Sequence, residues 1–285
     1  MKLRLGDISV QGVEWNEPMR INDVEVSLHP AGHVIGSSQI RVAYKGEVWV
    51  VSGDYKTADD GLSGAFEPIP CHTFITESTF GLPIYNWKTQ ADIYADIQQW
   101  VLDNIAQGKN SVLIAYSLGK AQRVIDAVSQ VTNNVFVHGA VWNVQEAFLQ
   151  NGEQLPSVTR VVQGMDKSMF KNAVIVAPSG AENSSWIKKF APYNLGICSG
   201  WMQVRGNQRR KNADRGFVLS DHADWKGLNS AVEATGAQKV YVTHGFQSVF
   251  SKYLNEKGIA AEEVKTNYGN ETEEALNEKE NPDAS

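Results

Sequence analysis

Five residues of this 285-residue chain carry side chains suited to metal binding and proton transfer, and each stands beside turn-forming neighbours. His33 lies in Pro30-Ala-Gly-His-Val-Ile-Gly36, Asp54 in Ser52-Gly-Asp-Tyr55, and Glu77 in Thr76-Glu-Ser-Thr-Phe-Gly81. His222 lies in Ser220-Asp-His-Ala-Asp224 and His244 in Val242-Thr-His-Gly245. Imidazole and carboxylate are donors that suit zinc-like ions. A histidine held by a carboxylate is also a good proton donor near pH 7. Taken singly, each histidine reads as a hydrogen-bonded residue near a strand end. Their joint occurrence favours the chemical reading, because the flanking glycines let a loop backbone turn sharply close to an ion. For Asp224 a helix N-cap is the favoured role, and a strand-end salt bridge is the bland alternative for Glu77.

The elements that would position these residues fall into two textures. Up to about residue 90 the chain reads as strands and turns, with strands over Val24–Leu28, Ser38–Tyr44, Glu47–Val51 and Thr73–Thr76. His33, Asp54 and Glu77 then fall just past strand ends or in the following loops, where α/β proteins keep their chemistry. After Trp87, Thr89 with Asp92 starts an amphipathic helix whose Ile93, Ile97, Val101 and Ile105 recur every four residues up to Gly108. Strand and helix patterns then alternate: Ser111–Ala115, Ala121–Val131, Val135–Val137, Asn143–Leu149 and Ala173–Ala177. This is the pattern of a parallel sheet with crossover helices. Phe217–Leu219 leads to His222, a helix follows from Trp225 to Gly236, and the strand Lys239–Val242 delivers His244. Phe246, Val249, Phe250 and Tyr253 mark a last amphipathic helix ending at Gly258.

An apolar content of 42% is ample for a sizeable core. The net charge of -6 is concentrated after residue 266, where six acids face Lys279, so the body is close to neutral. That tail is polar and acidic and is expected to be unfolded. Cys71 and Cys198 are far apart and form no CxxC, which points to a reducing cytoplasm rather than a disulfide framework. No apolar run approaches the ~18 residues needed to cross a bilayer.

The five contexts together resemble the β-CASP branch of the metallo-β-lactamase fold. From about Leu3 to Val264 the resemblance is to the bacterial ligase-associated DNA exonucleases, carried further by Gly64-Ala-Phe-Glu-Pro68, Tyr116-Ser-Leu-Gly-Lys-Ala-Gln-Arg123, His138-Gly-Ala-Val-Trp-Asn143 and Ser199-Gly-Trp-Met202. The resemblance implies an α/β architecture: an αββα sandwich, N-terminally truncated, with an inserted β-CASP domain. Residues 1–87 would form the first part, 88–212 the insertion, 213–265 the return and 266–285 the tail. It also implies two divalent ions, zinc by ligand type, with His33 on the first, Asp54 bridging and His244 on the second. His222 would donate the leaving-group proton, oriented by Glu77.

The implied activity is phosphodiester hydrolysis in DNA repair beside a DNA ligase and a helicase, with RNA as the alternative polymer. The His-x-His-x-Asp-His box that opens this fold is missing, since no His-x-His occurs among the six histidines. A shortened gene reading is the favoured account of the gap and a naturally shortened protein the other. The chain as given is therefore expected to be poorly soluble, metal-poor and nearly inactive, so a nucleic-acid binder without turnover is the reading from a different class. For phosphate contact the candidates are the basic run Arg205, Arg209, Arg210, Lys211 and Arg215, weighed evenly against a solvated face, and Lys120 more weakly. His29, His72 and His138 read as structural, with substrate contact the minor alternative for His138.

Overall fold

The computed structural model describes residues 5–204, 206 and 213–264. The chain opens with five strands: β1 (Met19–Ile21), β2 (Val24–Pro30), β3 (Ser38–Tyr44), β4 (Glu47–Val51) and β5 (Thr73–Ser78). The middle stretch contributes helix α1 (Gln90–Ala106), β6 (Asn110–Ile114), α2 (Lys120–Ser129), β7 (Val135–Val137), α3 (Gly139–Gln150) and β8 (Thr159–Arg160). It continues with β9 (Val174–Ala177), α4 (Ser185–Lys188), β10 (Tyr193–Cys198) and β11 (Arg215–Phe217). The last stretch holds α5 (Trp225–Thr235), β12 (Lys239–Gly245), α6 (Gln247–Glu256) and β13 (Ala260–Glu263). The architecture is mixed α/β and divides into two compact units, one drawn from the residues up to Asn86 and from Asp221 on, the other from Trp87–Ser220.

The first unit is built on a sheet with strand order β1-β2-β3-β4-β5-β12-β13 among the described residues. β1 to β4 pair antiparallel, and β4, β5, β12 and β13 run parallel. The alternation of a half-buried sheet places Val50, Phe74 and Val240 side by side in register, packed with Leu228, Phe250 and Leu254 from the two helices that follow Asp221. The opposite face carries Ile40, Tyr44 and Trp49, which are 41%, 43% and 41% exposed, along with Val42.

The second unit holds an all-parallel sheet with strand order β11-β10-β6-β9-β7-β8. Parallel strands are covered on both faces, and every residue of β6 is buried accordingly. Leu113 packs with Ile97, Val101, Val124 and Val128 on one side, while Val112 and Ile114 pack with Phe170, Ile175 and Phe190 on the other. Helix α1 starts where Thr89 accepts the Asp92 backbone N–H at 3.2 Å, the cap expected from the sequence. Arg215–Phe217, assigned from sequence to the returning segment, instead pairs parallel with β10 at the edge of this second sheet.

Candidate metal and proton-transfer site

His33 sits in the turn that closes β2. The Ser37 side chain accepts the backbone N–H groups of His33 and Val34 at 3.1 Å each, and the Ala31 N–H bonds Ser37 O at 3.1 Å. This turn is tied to the loop that carries Asp54, because the Lys56 N–H bonds Ala31 O at 3.1 Å. The approach is close enough to demand glycine at position 32: φ is +71°, and a Cβ there would lie 2.4 Å from Lys56 O. Below the Asp54 loop, Lys56 and Asp60 form a buried ion pair at 3.0 Å, with Lys56 Nζ also donating to Ala58 O at 2.8 Å. Asp60 further accepts from Leu62 N–H, Ser63 N–H and Ser63 Oγ. Removing one partner of such a pair strands a charge at a cost of about 3–5 kcal/mol, so these two residues fix the loop's path.

Glu77 is the penultimate residue of β5, inside the strand rather than beyond it, and is 1% exposed. Its carboxylate accepts the Tyr55 N–H at 3.0 Å and the Thr79 N–H at 3.1 Å, and it bonds Nδ1 of His222 at 2.9 Å. His222 is carried by the loop before α5, which is held by the Ala223 N–H on Tyr55 O at 2.7 Å. Asp224 caps α5 through the Gly227 N–H at 2.7 Å, which is the N-cap role expected for it.

The same loop orients His33, whose Nδ1 bonds the backbone oxygen of Asp221 at 2.9 Å. His33 Nε2 then lies 3.9 Å from Asp54 Oδ2, and the His33 and His222 ring centroids are 4.7 Å apart. One donor atom from each of His33, Asp54 and His222 lies within 4.8 Å of the other two. Two ligands ~2.1 Å from one ion can be at most about 4.2 Å apart, so His33 and Asp54 can share an ion as they stand. Both rings spend Nδ1 on an oxygen partner, which fixes each ring and directs Nε2 to other chemistry, an ion at His33 and an ion or a proton at His222. By donor type and spacing, the residues present fit a divalent cation.

His244 stands outside this group of three, although the resemblance implies it as a ligand with His33 and Asp54. It is the residue skipped in the β5–β12 register, where Thr243 faces Glu77 and Gly245 faces Ser78. Its φ is +68°, it is exposed, and its carbonyl accepts the Ser78 hydroxyl. A bulge of this kind inserts one extra residue into the strand and redirects its side chain.

Burial alone would raise the Glu77 carboxyl. Attraction to the His222 ring, with hydrogen bonds from His222, Thr79 and Tyr55, outweighs it and brings the group down to about 2 from 4.5. A carboxyl lowered on folding stabilises the fold above its unfolded value, and that contribution is lost as pH falls through the folded one. The window is therefore about pH 4.5 to 2. Glu77→Gln should flatten that part of the acid-unfolding curve followed by circular dichroism, and an unchanged curve would show that the carboxylate is not ionised in the folded protein.

The other sequence candidates are scattered or outside view. Lys120 begins α2 with Nζ 6.0 Å from the Tyr116 ring centroid. Arg205, Arg209, Arg210 and Lys211 lie outside the described residues, as does the acidic tail. Arg215 places its guanidinium 5.9 Å over the Phe217 ring. His29 and His72 are structural: the first bonds Ser27 Oγ at 2.9 Å and the second accepts the Val48 N–H at 3.0 Å. Sequence reading missed the supporting groups, namely the Asp221 carbonyl, the Tyr55 and Thr79 amides and the Lys56–Asp60 pair. Backbone donors leave no residue-type signal, whereas a Lys and an Asp four apart in a loop were visible and passed over.

No protein-family profile matches the chain. It is similar to a protein named "Probable DNA ligase" from Opitutus terrae, 30% identical over 246 residues, which covers 84% of this chain and 23% of that protein. It is also similar to RNase aCSPSF2 of Saccharolobus solfataricus, 27% identical over 41% of this chain and 24% of the relative. Endoribonuclease YSH1 of Saccharomyces cerevisiae is 24% identical over 41% of this chain and 15% of the relative. The chain thus spans about a quarter or less of the length of these relatives. Among solved structures, a protein of unknown function from Enterococcus faecalis V583 superposes with a TM-score of 0.62 at 10% identity, covering 92% of this chain and 66% of that one. That likeness concerns the fold alone.

Proposed function

We propose that this chain is a β-CASP-type metallo-hydrolase that cleaves phosphodiester bonds in DNA, acting as an exonuclease of the ligase-associated type. The observation that carries the reading is the Glu77–His222 pair set against His33 and Asp54 in one cluster. His33 Nε2 and an Asp54 oxygen would hold a divalent ion, zinc by ligand type. Such an ion supplies charge neutralisation and an activated water for attack on phosphorus. His244 would belong to a second ion site. Glu77 fixes the His222 ring through Nδ1 and pairs with its protonated form, leaving Nε2 to give a proton to the departing oxygen. The rim of apolar Phe80 and Tyr85, whose rings meet at 4.9 Å, limits solvent around the His222 ring, which lies 6.0 Å from Phe80.

DNA is favoured over RNA because the relative named for a DNA ligase matches 84% of this chain, against 41% for those named as RNases. The same match supports action beside a ligase, and the reading extends to DNA repair with a helicase, in the cytoplasm. No helix among the described residues is long and apolar enough to cross a membrane.

The test is to supply zinc or manganese to the purified protein and follow end-labelled DNA and RNA of equal sequence. Stepwise shortening of DNA, lost on chelation and in Asp54→Asn, is the expected result. Preferential cleavage of RNA would move the substrate to the RNases, and binding of DNA with neither metal uptake nor cleavage would leave a nucleic-acid binder without turnover.

A further inference from the structure

We propose that His138, Arg160 and Lys189 form a binding site for a backbone phosphate of a single nucleic-acid strand, at the N-terminus of α3. The proposal deepens the nuclease reading, on which the identity of the phosphate's carrier rests; the anion chemistry of the site stands on its own. All three groups belong to the second unit: His138 follows β7, Arg160 ends β8 and Lys189 follows α4. His138 is the N-cap of the twelve-residue α3, its Nδ1 accepting the Ala140 N–H at 3.1 Å. An acceptor Nδ1 places the ring proton on Nε2, which becomes a donor. Arg160 Nη2 and Nε lie 3.5 and 3.9 Å from where a Gly139 Cβ would stand, so the guanidinium rests on the first residue of the helix. Trp186 meets the His138 ring edge-on at 4.8 Å, and Lys189 Nζ sits 4.8 Å from the centre of the Trp186 ring.

This arrangement is electrostatically unfavourable without an anion. A helix N-terminus carries a partial positive charge, the first turn of α3 has no acidic residue, and an arginine is laid against it. Neither Arg160 nor Lys189 makes an ion pair among the described residues. Burial and then the two neighbouring cations, Lys189 and Arg160, hold the His138 ring below the ordinary histidine range. Burial likewise depresses the Lys189 ammonium. A phosphate oxygen placed among these groups offsets the repulsion between the cations, since it accepts from Nε2 and the guanidinium and meets the helix dipole in its favourable sense. Arg160 is exposed and His138, Trp186 and Lys189 are half-buried, so the groups are reachable from solvent. A single aromatic cap face covered by Lys189 leaves no free ring for base stacking, which is why a phosphate rather than a base is assigned here.

The experiment has two arms on the intact protein. In the first, inorganic phosphate is titrated while the ring signals of His138 are followed by NMR. Saturable shifts are expected in the native protein and their loss in Arg160→Gln, with Arg160→Lys retaining part of them. In the second, affinity for a single-stranded oligodeoxynucleotide, with and without a terminal phosphate, is measured against salt. Arg160→Gln together with Lys189→Gln should reduce the log–log slope by about 1.4, two contacts at about 0.7 each, equally for both oligonucleotides. Turnover of bis(p-nitrophenyl) phosphate, which carries no second phosphate to place at His138, should be unchanged. Unmoved His138 signals would overturn the site whatever the nuclease activity. Phosphate binding with an unchanged slope would assign it to free phosphate and overturn its role toward nucleic acid, and a dependence on the terminal phosphate would make it an end-binding site. If His138 responds as expected and the diester is not hydrolysed, only the nuclease reading fails.

Discussion

Replacing His222 with alanine is expected to lower DNA turnover by about 10² to 10⁴, with little change in the divalent metal retained after gel filtration and measured by atomic emission. The reason is the division of labour in the cluster. His33 and Asp54 approach to 3.9 Å, whereas His222 is engaged by an ionised, 1% exposed carboxylate. Losing the ring removes a proton donor and leaves the two metal donors in place, their loops still zipped by the Lys56–Ala31 and Ala223–Tyr55 backbone bonds. Glu77→Gln should be milder, about 10 to 100-fold, because it loosens the orientation and basicity of the ring without deleting it. Parallel loss of metal and turnover in His222→Ala would make the ring a third ligand. That outcome would end the proton-donor role and fit the mutual 4.8 Å spacing of the three residues instead.

The convergence of His33, Asp54 and His222 was only partly legible in the chain. Periodicity located the elements well because each has one strong physical cause. Ile93, Ile97 and Val101 are all buried along α1, and the apolar runs of β6 and β9 are covered on both faces. Spacing also drew attention to the five site residues. What it could not show is which of them meet, since that depends on backbone geometry. The fate of His244 turns on a single extra residue between Thr243 and Gly245 in a parallel pair, and a period-two pattern carries no mark of such a skip. The Arg215 strand was misplaced for a similar reason: three residues at a sheet edge have the same texture in either sheet. The apolar face bearing Ile40, Tyr44 and Trp49 escaped sequence reading, because strand sequences state that a face is apolar without stating what covers it.

The bulge that redirects His244 should also be the most fragile point of the first unit. Gly245→Ala is expected to destabilise the protein by at least roughly 3 kcal/mol, among the large values seen for point substitutions. Gly245 has φ +71°, and a Cβ there would stand 2.3 Å from Ser78 O and 2.4 Å from the Thr79 Cα. Those are backbone atoms of the segment that carries Glu77, so they cannot swing aside as a side chain would. Ser78 O is also already the acceptor for the Phe246 and Gly81 N–H groups at 2.9 Å each, which pin it from two sides. Relief therefore requires the ends of β5 and β12 to separate, carrying Glu77 away from the His222 loop as well as lowering stability. Gly236→Ala is the matched control: its φ is +59°, but a Cβ there meets nothing within 4 Å, so only the left-handed backbone cost of about 1 kcal/mol applies. Urea unfolding of both variants separates strain from contact. Equal destabilisation by the two would show that the approach of Gly245 to Ser78 relaxes freely, and that the bulge does not tie His244 to Glu77.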